Sequence, residues 1–399
     1  MSAAAAAERA ARDSYGRLLA FLLAQGGGFA AAEDALADAF AAALATWPAT
    51  GVPERPEAWL LTAARRRLTD AHRRRATATE AAPEVLRRAL AEAETTPDAI
   101  PDHRLALLVA CAAPEVELGA RAPLMLQTVL GLDAARIASA FLVAPAAMGQ
   151  RLVRAKRRLK EAGARFRLPD QTDVAARLPE VLAAIYAAYA AGAADPADGG
   201  TLAGEAAWLA RLLAAMVPED AEAQGLAALL LHLEARRPAG RDGGGRYVPL
   251  SAQDPAHWDA ARQAEAETLL RRAATLAQPG RYQWEAAIAS AHAMRRVLGR
   301  TPWGDILLLY DALVTATGSP VAAVNRAVVL AEVESPSAGL AALRVAGTDA
   351  RLADYQPYWA ALAAIAARAG AAEEALDAKR RAVGLATDPA VRNFLLEEG

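Results

Sequence analysis

Apolar residues recur at helical spacing through most of the chain. Over residues 13–47 the pattern predicts two helices, broken by a run of three glycines. In the second helix Leu36 and Phe40 fall on one face, whereas Asp34 and Asp38 fall on the opposite face. The sequence therefore predicts an amphipathic helix that presents acids to its surroundings.

A second amphipathic helix follows a turn-forming stretch. Pro56 is placed to begin it, because proline suits the first position of a helix. One face carries leucine and alanine, and the helix ends in a run of arginines. The basic residues of interest are Arg65, Arg66, Arg73, Arg74 and Arg75. Residues 76–100 show no clean period and contain two prolines, which predicts a linker.

Residues 101–168 predict at least three more helices. Asp133 can cap one of them, and after a short turn Pro145 opens a long helix. One side of the long helix is apolar, and its other side carries polar and cationic residues, among them Gln150, Arg151, Arg154, Arg157 and Arg158. Two helices joined by a short turn, the second bearing cations, are typical of a helix-turn-helix.

From residue 175 onward the pattern changes to helix pairs punctuated by glycine and proline. A period of 36 residues relates Ala327 to Ala363 and Gly339 to Ala375, which are small residues where paired helices would cross. The final unit has the residue spacing of a tetratricopeptide repeat. A glycine-rich loop near 238–257 interrupts the array. The fold prediction is all-α, with two small helical domains at 1–75 and 101–168 and a tetratricopeptide-like domain at 175–399.

Composition supports this picture and adds an asymmetry of charge. The apolar fraction is 54%, and much of it is alanine, the strongest helix former. Residues 1–168 hold 23 Lys and Arg against 18 Asp and Glu, and residues 169–399 hold 21 against 28. The net charges are +5 and −7, so only the first half is expected to meet a polyanion.

No pattern of an enzyme, metal site or cofactor site emerges. Cys111 is the only cysteine, and the five histidines lack metal-ligand spacing. The two triple-glycine runs are not followed by the residues of a phosphate-binding loop. The start lacks a signal-peptide core, and no apolar run reaches the roughly 20 residues that span a bilayer. These observations predict a cytoplasmic protein that is not an enzyme and has no membrane contact.

Three segments together resemble a known family. AEDALADAF (32–40) and AWLLTAARRRLTDAHRRR (58–75) are similar to the promoter-melting domain of extracytoplasmic-function sigma factors, within the sigma-70 family. IASAFLVAPAAMGQRLVRAKRRL (137–159) resembles their −35-reading domain. The tail, with YQWEAAIASAHA (282–293) and SPVAAVNRAV (319–328), resembles the subgroup with a fused tetratricopeptide-like extension.

The resemblance implies partners and site residues. Asp34 and Asp38 match positions that dock on the β′ clamp of core RNA polymerase. The arginines at 65, 66, 73, 74 and 75 fall where the family contacts the −10 element of promoter DNA. The second domain would dock on the β flap and read the −35 element. Its matching surface residues are Gln150, Arg151, Arg154 and Arg158.

Two further hypotheses stay open at the level of sequence. The helical tail could be the functional part of a repeat-based interaction regulator, with the first half a degenerate sigma module that only tethers it. In a sigma factor, the acidic tail could instead fold against the basic first half and modulate its activity.

Overall fold

A computed structural model describes residues 3–24, 28–76, 104–161, 171–194 and 201–397. Regular structure in these residues is helical, with short 3-10 turns and an isolated antiparallel bridge between Arg241 and Tyr247. The all-α prediction is confirmed. Contacts divide the chain into two units, Met1–Ala187 and Ala188–Gly399.

The first unit opens with a three-helix bundle. Its helices are α1 (Ala3–Ala24), α2 (Phe29–Thr50) and α3 (Pro56–Ala76), which pack against one another. The core of the bundle consists of fully buried side chains, including Leu18, Leu19, Leu22, Leu36, Trp47 and Leu60. Glu57, in the first turn of α3, accepts hydrogen bonds from Ser14 and Arg17 of α1. Helix α1 begins well before residue 13, where the sequence pattern first predicted a helix, because the alanine-rich start has a high helix propensity.

Four helices follow in the same unit. They are α4 (Arg104–Cys111), α5 (Leu118–Leu130), α6 (Ala134–Ala140) and α7 (Pro145–Glu161). Asp133 caps α6, since its carboxylate accepts from the backbone N–H groups of Ala135 and Arg136, both at 2.9 Å. Pro145 opens α7, as the sequence predicted. The linker predicted at 76–100 lies, apart from Ala76, outside the described residues.

The bundle and these four helices touch each other. Helix α1 packs against α4 and α5, and α2 packs against α7. A Cβ placed on Gly16 of α1 would lie 1.7 Å from the carbonyl oxygen of Val129 in α5. Only glycine allows the two backbones to approach so closely.

Helix α8 (Gln171–Ala193) follows. Arg121 and Glu180 form an ion pair at 2.6 Å that joins the start of α8 to α5. The segment Val174–Ala193 is long and apolar enough to cross a membrane by length and composition. The expectation that no apolar run approaches that length is therefore wrong. The segment reaches it because much of it is alanine. Half of the segment is buried within the fold, as in a core helix, so it is weak evidence of a membrane span.

The second unit consists of paired helices. Its longer helices are α9 (Thr201–Met216), α10 (Ala221–Arg236), α11 (Ala260–Thr275), α12 (Arg281–Ala293), α14 (Trp303–Thr317), α15 (Pro320–Val333), α16 (Pro336–Ala346), α17 (Gln356–Arg368), α18 (Ala372–Leu385) and α19 (Pro389–Glu397). A single turn, α13 (Arg295–Leu298), lies between α12 and α14. The most extensive contacts are those of α17 with α18, of α10 with both α11 and α12, and of α15 with α16.

Small residues line the crossing of α15 and α16. A Cβ on Gly339 would lie 2.5 Å from the Cβ of Ala331 and 2.8 Å from the carbonyl oxygen of Ala327. The residues that the 36-residue period singled out at 327 and 339 therefore do meet at a helix crossing. The loop predicted near 238–257 is present as a series of short 3-10 turns.

Candidate polymerase and nucleic-acid interface

The acidic face of α2 lies opposite its buried face. Asp34 and Asp38 are exposed, whereas Ala35, Leu36 and Ala39 are buried. The two acids are four residues apart, so they are neighbours on one side of the helix. Their carboxylates are available to a basic partner surface.

Tyr15 of α1 lies beneath this acidic face. Its ring stacks on Phe40 with the ring centres 6.1 Å apart. Burial, together with the negative charges of Glu33 and Asp34, raises the pKa of Tyr15 far above its ordinary value. The tyrosine therefore stays neutral and forms part of the wall that supports α2.

Glu33 is a residue that sequence reasoning missed. Its carboxylate pairs with Lys156 of α7 at 2.5 Å, and the two side chains are 25% and 32% exposed. The ion pair joins the acid-bearing helix to the helix that carries the predicted −35 residues. The partners are separated by 123 positions, so no local pattern could have revealed the pair.

The basic face of α3 is divided between structural and exposed arginines. The guanidinium of Arg65 lies 5.1 Å from the ring centre of Phe21, and burial lowers the pKa of Arg65. Arg66 is exposed. The arginines at 73, 74 and 75 lie on the last turns of α3, but their side chains are outside the described part of the structure.

Helix α7 has the two faces that its sequence predicts. Its apolar side is buried through Met148, Leu152, Ala155 and Leu159. Gln150, Arg154 and Arg158 are exposed on the other side. Arg151 is partly buried and donates a hydrogen bond to the carbonyl of Gly119 at 3.2 Å. Three of the four predicted −35 residues are thus exposed to solvent, whereas Arg151 contacts the start of α5.

The described residues offer no cluster of His, Cys, Asp and Glu able to hold a metal ion. Cys111 is fully buried, and its burial raises the pKa of the thiol to about 12. It therefore remains a neutral thiol in the core of the first unit.

Comparison with protein families relates the first part of this interface to a known family. The family model described as Sigma-70 region 2 matches residues 11–78, which run from α1 through the end of α3. The chain thus contains a segment that matches Sigma-70 region 2. The bundle that carries Asp34, Asp38 and the basic end of α3 is therefore the part of the chain that is similar to Sigma-70 region 2, which supports a role in binding core RNA polymerase. This match points to a role in transcription.

A second family model, Family of unknown function (DUF6596), matches residues 177–274, from α8 to the end of α11. The chain is also 38% identical over 367 residues to a protein of Rhizobium meliloti (strain 1021) described as uncharacterized. The alignment covers 90% of this chain and 86% of the relative, so the two sequences are similar along most of their length. No solved structure matches the chain.

Proposed function

We propose that the chain is a sigma factor of the extracytoplasmic-function type that directs core RNA polymerase to a set of promoters in the cytoplasm. In this proposal, region 2 binds the β′ clamp through Asp34 and Asp38, and the basic end of α3 contacts the −10 element. The observation that carries the proposal is the Sigma-70 region 2 match over a bundle whose acidic helix face is exposed.

The same proposal gives α6 and α7 the role of a helix-turn-helix at the −35 element. Gln150, Arg151, Arg154 and Arg158 lie on one side of α7, and arginine pairs well with phosphates and with guanine edges. The first turn of α7 offers Pro145 and alanines; the alanines provide methyl contacts, and neither residue type donates or accepts a side-chain hydrogen bond. Base reading therefore depends mainly on Gln150 and Arg151.

The second unit is proposed to be a tetratricopeptide-like extension that modulates the sigma module. Its support is the repeated pairing of helices across small residues, as at Gly339 and Ala327. Deletion of residues 175–399, the bounds that the sequence pattern gives the tail, is expected to change promoter activity. Identical activity with and without them would remove the modulating role and leave the sigma function intact.

The central experiment is run-off transcription with core RNA polymerase and the protein's own candidate promoter, together with co-purification of core enzyme. The D34A/D38A double variant is expected to lose core binding, because the acidic face supplies charge to the clamp contact. E54A/E117A is a matched control that removes two other exposed acids. Core binding that is absent in the wild type, or equal in both double variants, would refute the proposal. Capture of a different partner by the full chain, without polymerase, would favour the repeat-based regulator.

A further inference from the structure

A short hairpin in the loop between α10 and α11 contacts the C-terminal helix α19. The hairpin comprises residues 241–247 and is closed by the bridge between Arg241 and Tyr247. The backbone N–H of Asp242 also donates to the carbonyl of Arg246, at 3.0 Å. The contact with α19 joins segments of the second unit that lie 147 positions apart along the chain.

An ion pair and an aromatic pair join the hairpin to α19. The guanidinium of Arg241 pairs with Asp388, the residue before α19, and these two side chains are 36% and 18% exposed. The ring of Tyr247 meets the ring of Phe394 edge to face, with ring centres 5.3 Å apart. Because the ion pair is partly exposed, salt can weaken it while the aromatic pair is little affected.

The hairpin is stabilised by its own residues. The carboxylate of Asp242 accepts hydrogen bonds from the backbone N–H groups of Gly244 and Arg246, each at 2.9 Å. The same carboxylate pairs with the guanidinium of Arg246 at 2.8 Å. Gly245 has a φ of +77°, a left-handed conformation that glycine adopts at little cost. These contacts do not involve α19, so the hairpin can keep its shape when α19 moves away.

Helix α19 has few buried contacts. In this helix, which the structure describes from Pro389 to Glu397, no side chain is buried. Its half-buried residues are Ala390, Val391, Phe394 and Leu395. Its neighbour α18 has buried alanines. A segment with few buried apolar contacts opens at a low free-energy cost, so α19 can part from α18 while the rest of the unit stays folded.

Asp388 connects the ion pair to the start of α19. One of its carboxylate oxygens accepts a hydrogen bond from the backbone N–H of Ala390 at 2.9 Å, as in a helix cap. The other oxygen faces Arg241. A substitution of Arg241 therefore removes the ion pair and leaves the cap in place.

We propose that the hairpin and α19 form a clasp that opens when Arg241 parts from Asp388. Opening uncovers the apolar side chains of α19 together with the surface of α18 against which α19 packs. The clasp is a conformational switch within the second unit, closed at low ionic strength and opened as salt screens the ion pair. It does not depend on the proposed polymerase and promoter contacts.

The test is hydrogen–deuterium exchange of the full chain at low and high salt, read by mass spectrometry in a peptide that covers Pro389–Glu397. A helix this short is marginal in water on its own, so its amides exchange once it is released. Wild-type exchange in this peptide is expected to be faster at high salt, because screening weakens the ion pair. R241Q should exchange about threefold faster than the wild type at low salt, and its rate should depend little on salt.

A matched control removes an arginine that has no ion pair with α19. Arg262 is exposed and pairs with Asp259 at the start of α11, at 3.5 Å, so R262Q should exchange as the wild type does in the α19 peptide. Equal exchange in R241Q and the wild type at low salt would overturn the proposal. Wild-type exchange that does not change with salt would overturn it as well.

Peptides from α15 and α16 separate opening of the clasp from general destabilisation. They should exchange at the same rate in R241Q as in the wild type, because these helices are not part of the clasp. Faster exchange of α15 and α16 by the same factor as α19 would show that Arg241 stabilises the whole unit, and the clasp would be refuted. Y247L removes the ring contact with Phe394 but keeps the ion pair, so its α19 peptide should exchange faster and retain the dependence on salt. Loss of that dependence in Y247L would contradict the assignment of salt sensitivity to Arg241 and Asp388.

Discussion

Gly16 offers the most direct test of the contact between the three-helix bundle and α5. Glycine-to-alanine substitution inside a helix ordinarily stabilises it by about 1 kcal/mol. At this position the added methyl group would lie 1.7 Å from the carbonyl oxygen of Val129. A backbone carbonyl cannot rotate away as a side chain can, so α1 and α5 must separate.

The magnitude follows from these opposing effects. Overpacking a well-packed contact costs about 1–3 kcal/mol, and a backbone clash this close belongs at the upper end. After the gain in helix propensity, a net cost of about 2 kcal/mol remains for G16A. This cost shifts the equilibrium between packed and separated α1 and α5 about 30-fold toward the separated helices.

Hydrogen–deuterium exchange of the full chain, read by mass spectrometry, is a suitable assay. G16A should exchange faster than the wild type in peptides from Ala3–Ala24 and from Leu118–Leu130, which face each other. G149A is the matched control, because a Cβ there meets nothing within 4 Å. Unchanged exchange in both helices of G16A would refute the reasoning about the close backbone contact.

Three further predictions concern charge. K156E should destabilise the first unit by breaking the ion pair with Glu33, and the charge-swapped variant K156E/E33K should restore part of the lost stability. A double-mutant cycle measured by urea unfolding is expected to give a coupling energy of about 1 kcal/mol between the two residues. A coupling energy of zero would contradict the prediction. R151A/R154A should weaken binding to a −35 duplex and reduce the salt slope by up to about 2, whereas an unchanged slope would place both side chains away from the phosphates. Burial lowers the folded pKa of His292 from 6.5 to about 4, so the folded state binds fewer protons and its stability falls as pH decreases from 6.5 toward 4. Between pH 7 and pH 4, the free energy of unfolding of H292F should fall by up to about 3 kcal/mol less than that of the wild type, as measured by urea unfolding. Equal decreases in the two proteins would exclude His292 as the cause.

Local features of the fold could be predicted because they depend on neighbouring residues. Asp133 sits directly before a helix, and its carboxylate reaches the first free N–H groups of that helix. Pro145 begins α7 for a comparable reason, since its missing N–H would be unpaired there in any case. The buried and exposed faces of α7 likewise follow from the 3.6-residue period.

Features that join distant segments could not be predicted. The pairing of Glu33 with Lys156 and the approach of Gly16 to Val129 depend on how separate helices pack. Arg65 shows the same limit, because its guanidinium lies over Phe21 of another helix, whereas its position in a basic run suggested only contact with DNA.

The burial of Cys111 has a practical consequence for measuring motion. Thiol-directed dyes react with the thiolate, and a pKa of about 12 leaves roughly one thiol in 100,000 ionised at pH 7. Since the chain has no other cysteine, the native thiol can stay in place while fluorophores are attached to two added surface cysteines. A dye on α2 and another on α7 would then report in solution how often the two helices part.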